Sequence, residues 1–205
     1  MKITRIEPQK NNPDRANIFA EGKFFCGMDW EVIHSLNIKE GTEITPELEK
    51  TFIEQNELSK CMRKALSLLN YRDRTSFELK KKLKENSFDE KEIEFTVNRL
   101  TENNYINDNC FLETYINFHK DTVSKTKITQ KLWLLGVPAE LIASKISQIF
   151  SENDEYNSCL AVMESRIRIT PEKEKLIRHL IYKGYKYDTV SKVIRDHFPE
   201  KNKKA

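Results

Sequence analysis

The chain has 205 residues, of which 33% are charged and 38% hydrophobic, and its formal net charge is +3. This composition is typical of a folded protein with a strongly ionised surface, and it argues against a disordered chain. The longest apolar runs are far shorter than the roughly 20 residues of a membrane helix, and the N-terminus lacks an apolar secretion segment. We therefore expect a cytoplasmic protein with no membrane partner.

Residues 1–59 are predicted to form a small extension in which acidic side chains outnumber basic ones. Three segments resemble short strands, and a tight Glu21-Gly22 turn between the last two predicts a β-hairpin; these strands are Ile3–Ile6, Ala16–Ala20 and Lys23–Cys26.

Two helices are predicted to follow the hairpin. The first begins at Trp30 and ends near Leu36, and the second begins at Thr45-Pro46 and runs to about Gln55. Proline is favoured at the first position of a helix, which marks the second start.

The rest of the chain repeats itself. Cys61, Cys110 and Cys159 are each 49 residues apart. The same offset carries Leu79 onto Ile128, and an offset of 48 carries Ile128 onto Leu176. Fixed offsets between apolar positions indicate a duplicated unit.

Each unit has apolar residues at helical spacing and reads as three helices. We predict a mainly α fold in which three such modules stack into a short curved solenoid. The predicted divisions are the extension at 1–59, modules at 60–108, 109–156 and 157–198, and a basic tail at 199–205.

Helix boundaries are also marked. Thr75, Asp89 and Thr170-Pro171 are predicted to begin helices. Gly136 and Gly184 are predicted to end helices in the left-handed conformation, with Asn86 or Ser87 in that place in the first module.

No pattern indicates a catalytic, metal or cofactor site. The five glycines form no phosphate-binding loop, and the four histidines lack metal-ligand spacing. Because the cysteines form no C-x-x-C pair and recur beside apolar residues, we expect reduced, buried core residues rather than nucleophiles. We therefore predict that the chain is not an enzyme.

Two basic regions remain as candidate contacts for phosphates. The denser one runs from Tyr71-Arg72-Asp73-Arg74 through Lys80-Lys81-Lys82 to Lys84. The second occupies the corresponding junction of the third module, with Arg166, Arg168, Lys173, Lys175 and Arg178. A solvated helix face is an equally good interpretation of the lysines, and we expect Tyr71 to pack within its module.

The segment from Tyr71 to Leu79, followed by Leu83, resembles the Y-R-x-R-S-x-x-E-L-x-x-x-L signature of the RecX family. Two further segments resemble family motifs: Tyr105 to Phe111 is similar to Y-I-D-D-x-x-F, and Leu132 to Val137 is similar to L-x-x-K-G-I. Asn107 and Leu135 depart from these motifs, where the family commonly has Asp and Lys. The resemblance covers nearly the whole chain.

Membership of this family implies a protein that binds the RecA recombinase filament on single-stranded DNA. It implies that the protein lowers ATP hydrolysis and strand exchange in recombination and DNA repair, without a cofactor of its own. We expect a monomer that contacts its partners through Arg72, Arg74, Lys81 and Lys82 in the first module and Arg166, Arg168 and Arg178 in the third.

Two other classes of protein remain open. One is a stand-alone nucleic-acid-binding protein whose modules resemble helix-turn-helix units, with Gly136 and Gly184 in the turns. Such a protein would bind DNA tightly without a recombinase and with a steep salt dependence. The other is a helical adaptor for a different protein.

Overall fold

A computed structural model describes residues 1–198. The predicted basic tail, residues 199–205, lies outside the described residues. The chain divides into two compact units. The first comprises residues 1–73 and 79–106, and the second comprises residues 74–78 and the chain from Asn107 onward.

The N-terminal part of the first unit is a three-stranded antiparallel sheet in the order β1-β2-β3. Glu21 and Gly22, in the turn between β2 and β3, both have positive φ, as a tight hairpin turn of this kind requires. The three predicted strands and the hairpin between the last two are confirmed, and each strand is longer than predicted. β1 is Ile3–Gln9, β2 is Asn12–Ala20 and β3 is Lys23–Asp29.

The sheet packs against two helices, α1 (Trp30–Ser35) and α2 (Pro46–Tyr71). The predicted position of α1 and the predicted start of α2 are confirmed, and the Thr45 side chain caps α2. The predicted end near Gln55 is wrong. No glycine or proline interrupts the chain between Gln55 and Tyr71, and its apolar residues keep helical spacing.

Helix α2 is long enough to contribute buried residues to two hydrophobic cores. Phe52 is buried among the residues of the sheet, whereas Cys61 and Ala65 are buried in the first helical module. The division that we place between residues 59 and 60 therefore lies within a continuous helix.

The remaining helices complete three three-helix modules, so the predicted fold of tandem helical modules is confirmed. Each module has its own cluster of buried apolar residues, which include Leu83, Leu132 and Leu180. In the described part of the chain, no helix is both long and apolar enough to cross a membrane. The helices are α3 (Ser76–Glu85), α4 (Glu90–Glu102), α5 (Asp108–His119), α6 (Lys125–Leu134), α7 (Ala139–Ile149), α8 (Glu152–Ile167), α9 (Lys173–Tyr182) and α10 (Tyr187–His197).

The middle helix of each module ends in the same way. Ser87, Gly136 and Gly184 have φ values of 65°, 79° and 89°. The backbone N–H of the next residue donates in each case to a carbonyl in the last turn of the helix, which is a Schellman cap. These bonds run from Phe88 to Leu83, from Val137 to Leu132 and from Tyr185 to Leu180.

The middle helices also begin alike in the first two modules. The Thr75 Oγ1 and Ser124 Oγ atoms accept the backbone N–H of Glu78 and Lys127, and so cap α3 and α6. Within the second unit, the Thr75 hydroxyl donates to the Leu135 carbonyl at 2.6 Å. The Ser124 hydroxyl donates to the Lys183 carbonyl at 2.7 Å. Each hydroxyl thus holds the residue that precedes a left-handed glycine.

The predicted start of α9 at Thr170-Pro171 is wrong. The backbone N–H groups of Ile169 and Thr170 donate to the Arg166 carbonyl and close the turn after α8. Because the Thr170 backbone belongs to this turn, Thr170 does not begin α9. The helix begins after Glu172, which has extended backbone dihedrals.

The expectation that all three repeated cysteines are buried is wrong for Cys110. Cys61 and Cys159 are fully buried, and burial raises the pKa of the Cys159 thiol to about 12. Cys110 is exposed in the first turn of α5, and Leu112 takes the equivalent buried position. Cys61 lies 18 residues before the buried Leu79, whereas Leu112 lies 16 residues before the equivalent Ile128, so the equal cysteine spacing does not follow the core.

Candidate nucleic-acid interface

Arg74, one of the predicted contact residues of the first module, is buried in the structure. Its side chain is only 8% exposed and forms an ion pair with Glu78, one helical turn further on. Burying an unpaired guanidinium is costly, and this pair offsets part of that cost. Arg74 therefore contributes to the start of α3, and its assignment as a surface contact needs correction.

Most lysines near Arg74 have acidic partners. Lys80 pairs with Glu94, Lys82 with Glu85 and Lys84 with Glu90. Exposed pairs of this kind are weak, yet they reduce the positive potential that the sequence alone indicates.

Two candidates of the first module lie at the surface. Lys81 is exposed and has no ion pair among the described residues. Arg72 is exposed at the end of α2 and donates to the Asp73 carbonyl at 2.9 Å. The expectation that Tyr71 packs within its module is wrong, because its side chain is 83% exposed.

The basic residues of the third module line a hollow in the second unit, which we call the third-module concavity. One part has a volume of about 570 Å³, and an adjoining part of about 430 Å³ shares His179 and Tyr182 with it. Of the side chains that the structure describes, no aspartate or glutamate lines either part. The charged and aromatic lining residues that define the concavity are Lys127, Arg166, Lys175, Arg178, His179, Tyr182, Lys183 and Tyr185.

Helix α9 supplies four of these charged and aromatic residues. Three lining residues lie three, four and seven positions after Lys175, namely Arg178, His179 and Tyr182. This spacing places all four on one face of the helix. Leu176 and Leu180 point into the module core from another face. The Tyr182 side chain is 80% exposed, so its ring is open to a stacking partner.

The electrostatics of the concavity favour an anion. Burial lowers the pKa of His179, and the nearby Arg166 and Lys183 cations lower it further. Lys175 is paired with Glu172 at 2.8 Å. The buried Nε of Arg166 has no hydrogen-bond partner in the part of the chain that the structure describes. A phosphate oxygen is the kind of acceptor that would satisfy this group.

Of the third-module candidates, Arg166 and Arg178 come together in the concavity, whereas Arg168 is exposed and does not line it. Sequence reasoning missed Tyr182 and His179, although their spacing from Arg178 on one helix was a usable signal. Lys127 belongs to the second module, and only the tertiary fold brings it to this surface.

The arrangement is suited to binding single-stranded nucleic acid. Arginine presents a planar fork of donors that matches phosphate oxygens, and an exposed tyrosine ring provides a platform for a base. Among the described residues, no group of three or more His, Cys, Asp or Glu side chains is placed to hold a metal ion.

A three-stranded sheet followed by three tandem three-helix modules defines a protein of the helical-repeat class. Residues 1–45 match the family described as the regulatory protein RecX N-terminal domain, and residues 61–100 match the one described as RecX, first three-helix domain.

Relatives match over nearly the whole chain. Regulatory protein RecX of Clostridioides difficile strain 630 is 31% identical over 94% of this chain and 93% of its own. Its namesake in Clostridium perfringens strain SM101 is 32% identical over 95% of each. A crystal structure of regulatory protein RecX has a TM-score of 0.76 at 25% identity, and covers 95% of this chain and 98% of its own. The chain belongs to the RecX family, which confirms the resemblance of its motifs.

Proposed function

We propose that this protein binds a RecA filament on single-stranded DNA in the cytoplasm and lowers the ATPase and strand-exchange activities of the filament. The observation that carries the proposal is the match of nearly the whole chain to relatives that are named regulatory proteins. The protein acts by binding as a monomer, and the ATPase belongs to its partner.

The geometry narrows the proposed contacts. In the first module they are Arg72 and Lys81, because Lys82 is paired with Glu85. In the third module they are Arg166 and Arg178. The third-module concavity supports a DNA contact because no described carboxylate lines it and, of its lysines and arginines, only Lys175 has a described acidic partner, Glu172. An anionic strand is attracted to such a surface. Several weak contacts made together raise the overall affinity.

The same concavity favours one alternative, a protein that binds nucleic acid without a recombinase. The two functions differ in the ligand that is bound tightly. A filament modulator needs contacts to recombinase and DNA together, whereas a stand-alone DNA-binding protein relies on phosphates and loses affinity steeply as salt rises.

A direct binding measurement separates these functions. Cys110 is exposed, and Cys61 and Cys159 are buried. Partial burial raises the pKa of the Cys26 thiol to about 11, so a fluorescent maleimide attaches preferentially at Cys110. The labelled protein is titrated with an oligo-dT strand alone and with the same strand coated by RecA, at two salt concentrations. We expect binding to the filament to be at least about tenfold tighter, because two sets of contacts act together. Equal affinities with a steep salt dependence would instead support the stand-alone function.

A further inference from the structure

A second groove lies elsewhere in the second unit, along α6. One end has a volume of about 370 Å³ and lies between α6 and α7. The other end has a volume of about 680 Å³ and extends to α8 and α10. Lys125, Thr129 and Gln130 line both ends, which makes them one continuous surface that we call the α6 groove.

The end between α6 and α7 is apolar. Trp133 is 64% exposed there, beside the small side chains of Ala139 and Ala143 and above the buried Ile142 and Ile146. Small residues beside an open indole leave room for a bulky apolar side chain. Buried aromatic anchors in such pockets are characteristic of protein–protein contacts.

The opposite end is cationic. Lys125, Lys186 and Lys192 line the groove, and none of them forms an ion pair with a side chain that the structure describes. The Lys192 ammonium lies 5.3 Å from the centroid of the Tyr156 ring, so it is held at the groove without being neutralised.

Two carboxylates also face this end, those of Glu155 and Asp188. The Glu155 carboxylate accepts the backbone N–H of Lys125 at 3.1 Å, and is therefore engaged at the start of α6. The presence of both acids distinguishes this groove from the third-module concavity and disfavours a polyphosphate strand.

We propose that the α6 groove binds an acidic peptide segment of a partner protein that carries one bulky apolar side chain. The apolar side chain packs against Trp133 and the two alanines, and the acidic residues face Lys125, Lys186 and Lys192. Charge complementarity with the lysines fixes the direction of the segment along the groove. The site is independent of the DNA contact and does not require the partner to be a recombinase.

The test is a selection of displayed random peptides of about 12 residues, a length that spans a groove of one helix and its neighbours. We expect the selected sequences to combine several acidic residues with one bulky apolar residue. The chain has two tryptophans, Trp30 and Trp133, so a Trp30→Phe variant reports on Trp133 alone. A selected peptide is expected to shift the Trp133 emission to shorter wavelength as it covers the indole.

Two matched variants on α7 complete the test. Ala143→Glu places a negative charge in the groove and is expected to weaken the peptide at least about tenfold. Gln148→Glu adds the same charge on an exposed position of the same helix that does not line the groove, and is expected to leave affinity unchanged within about twofold. Equal thermal unfolding midpoints show that both variants are folded.

Three results would overturn the proposal: selection without an acidic and apolar consensus, unchanged binding to Ala143→Glu, or a Trp133 emission shift produced by oligo-dT in place of the peptide. Each would leave the proposed action on the filament intact, because that action is measured with recombinase and DNA.

Discussion

Replacing Gly136 with alanine is expected to lower the free energy of unfolding by about 2–5 kcal/mol, the combined effect of backbone strain and overpacking. Gly136 ends α6 with a φ of +79°, in the left-handed region that disfavours a side chain. A Cβ atom at this position would also overlap the Cγ atom of Phe77, well inside van der Waals contact. The backbone strain and the overlap act at the same turn, which also receives the Thr75 hydroxyl at Leu135.

Two controls separate the effects at Gly136 in urea denaturation. Gly22 has a φ of +75° with nothing within 4 Å of an added Cβ, so Gly22→Ala is expected to cost only about 1–2 kcal/mol from the backbone. Adding Phe77→Ala to Gly136→Ala removes the ring atoms from the overlap but leaves Cβ of residue 77 close to the new Cβ atom, so it is expected to recover part of the loss, as a double-mutant cycle reveals. Equal losses at Gly22 and Gly136 would show that Phe77 does not pack on the turn.

The double variant Arg166→Gln/Arg178→Gln is expected to weaken binding to single-stranded DNA in the filament by about tenfold to a hundredfold, since each of the two lost hydrogen bonds has a net contribution of about 0.5–1.5 kcal/mol. Both arginines line the third-module concavity, and neither has an acidic partner among the described residues. Loss of two phosphate contacts on a single strand should also reduce the slope of log affinity against log salt by about 1.4.

Arg168→Gln is the matched control for this variant. Arg168 is exposed in the same module but lies outside the concavity, so its removal is expected to change affinity by less than about twofold. The unsubstituted protein, the double variant and Arg168→Gln are each labelled at Cys110, and their affinities are measured in the same filament titration. If Arg168→Gln weakened binding as much as the double variant, general surface charge would explain the contact and the concavity would not.

The elements that were predictable are those with local signals. The Glu21-Gly22 turn, the Thr45-Pro46 helix start and the glycines that end α6 and α9 depend on residues next to each other in the chain. The end of α2 was missed because a change from one core to another, between Phe52 and Cys61, leaves no mark on a continuous helix.

The candidate site was less predictable because charge density in a sequence does not show which charges are paired. Arg74 lies in the densest basic stretch and is buried against Glu78. Lys127 lies in a segment of balanced charge and reaches the concavity through the tertiary fold. The equal cysteine spacing also led to a wrong prediction that Cys110 is buried. Leu112, two residues further on, is the residue of α5 that is buried in the core.

The most direct test of the central claim is the DNA-dependent ATPase rate of RecA on single-stranded DNA, titrated with this protein and with an Arg72→Ala/Lys81→Ala variant. We expect inhibition at less than one protein per RecA, since one bound copy contacts several partners at once, and weaker inhibition by the variant. An unchanged ATPase rate at equimolar protein would contradict filament modulation and favour direct binding to nucleic acid.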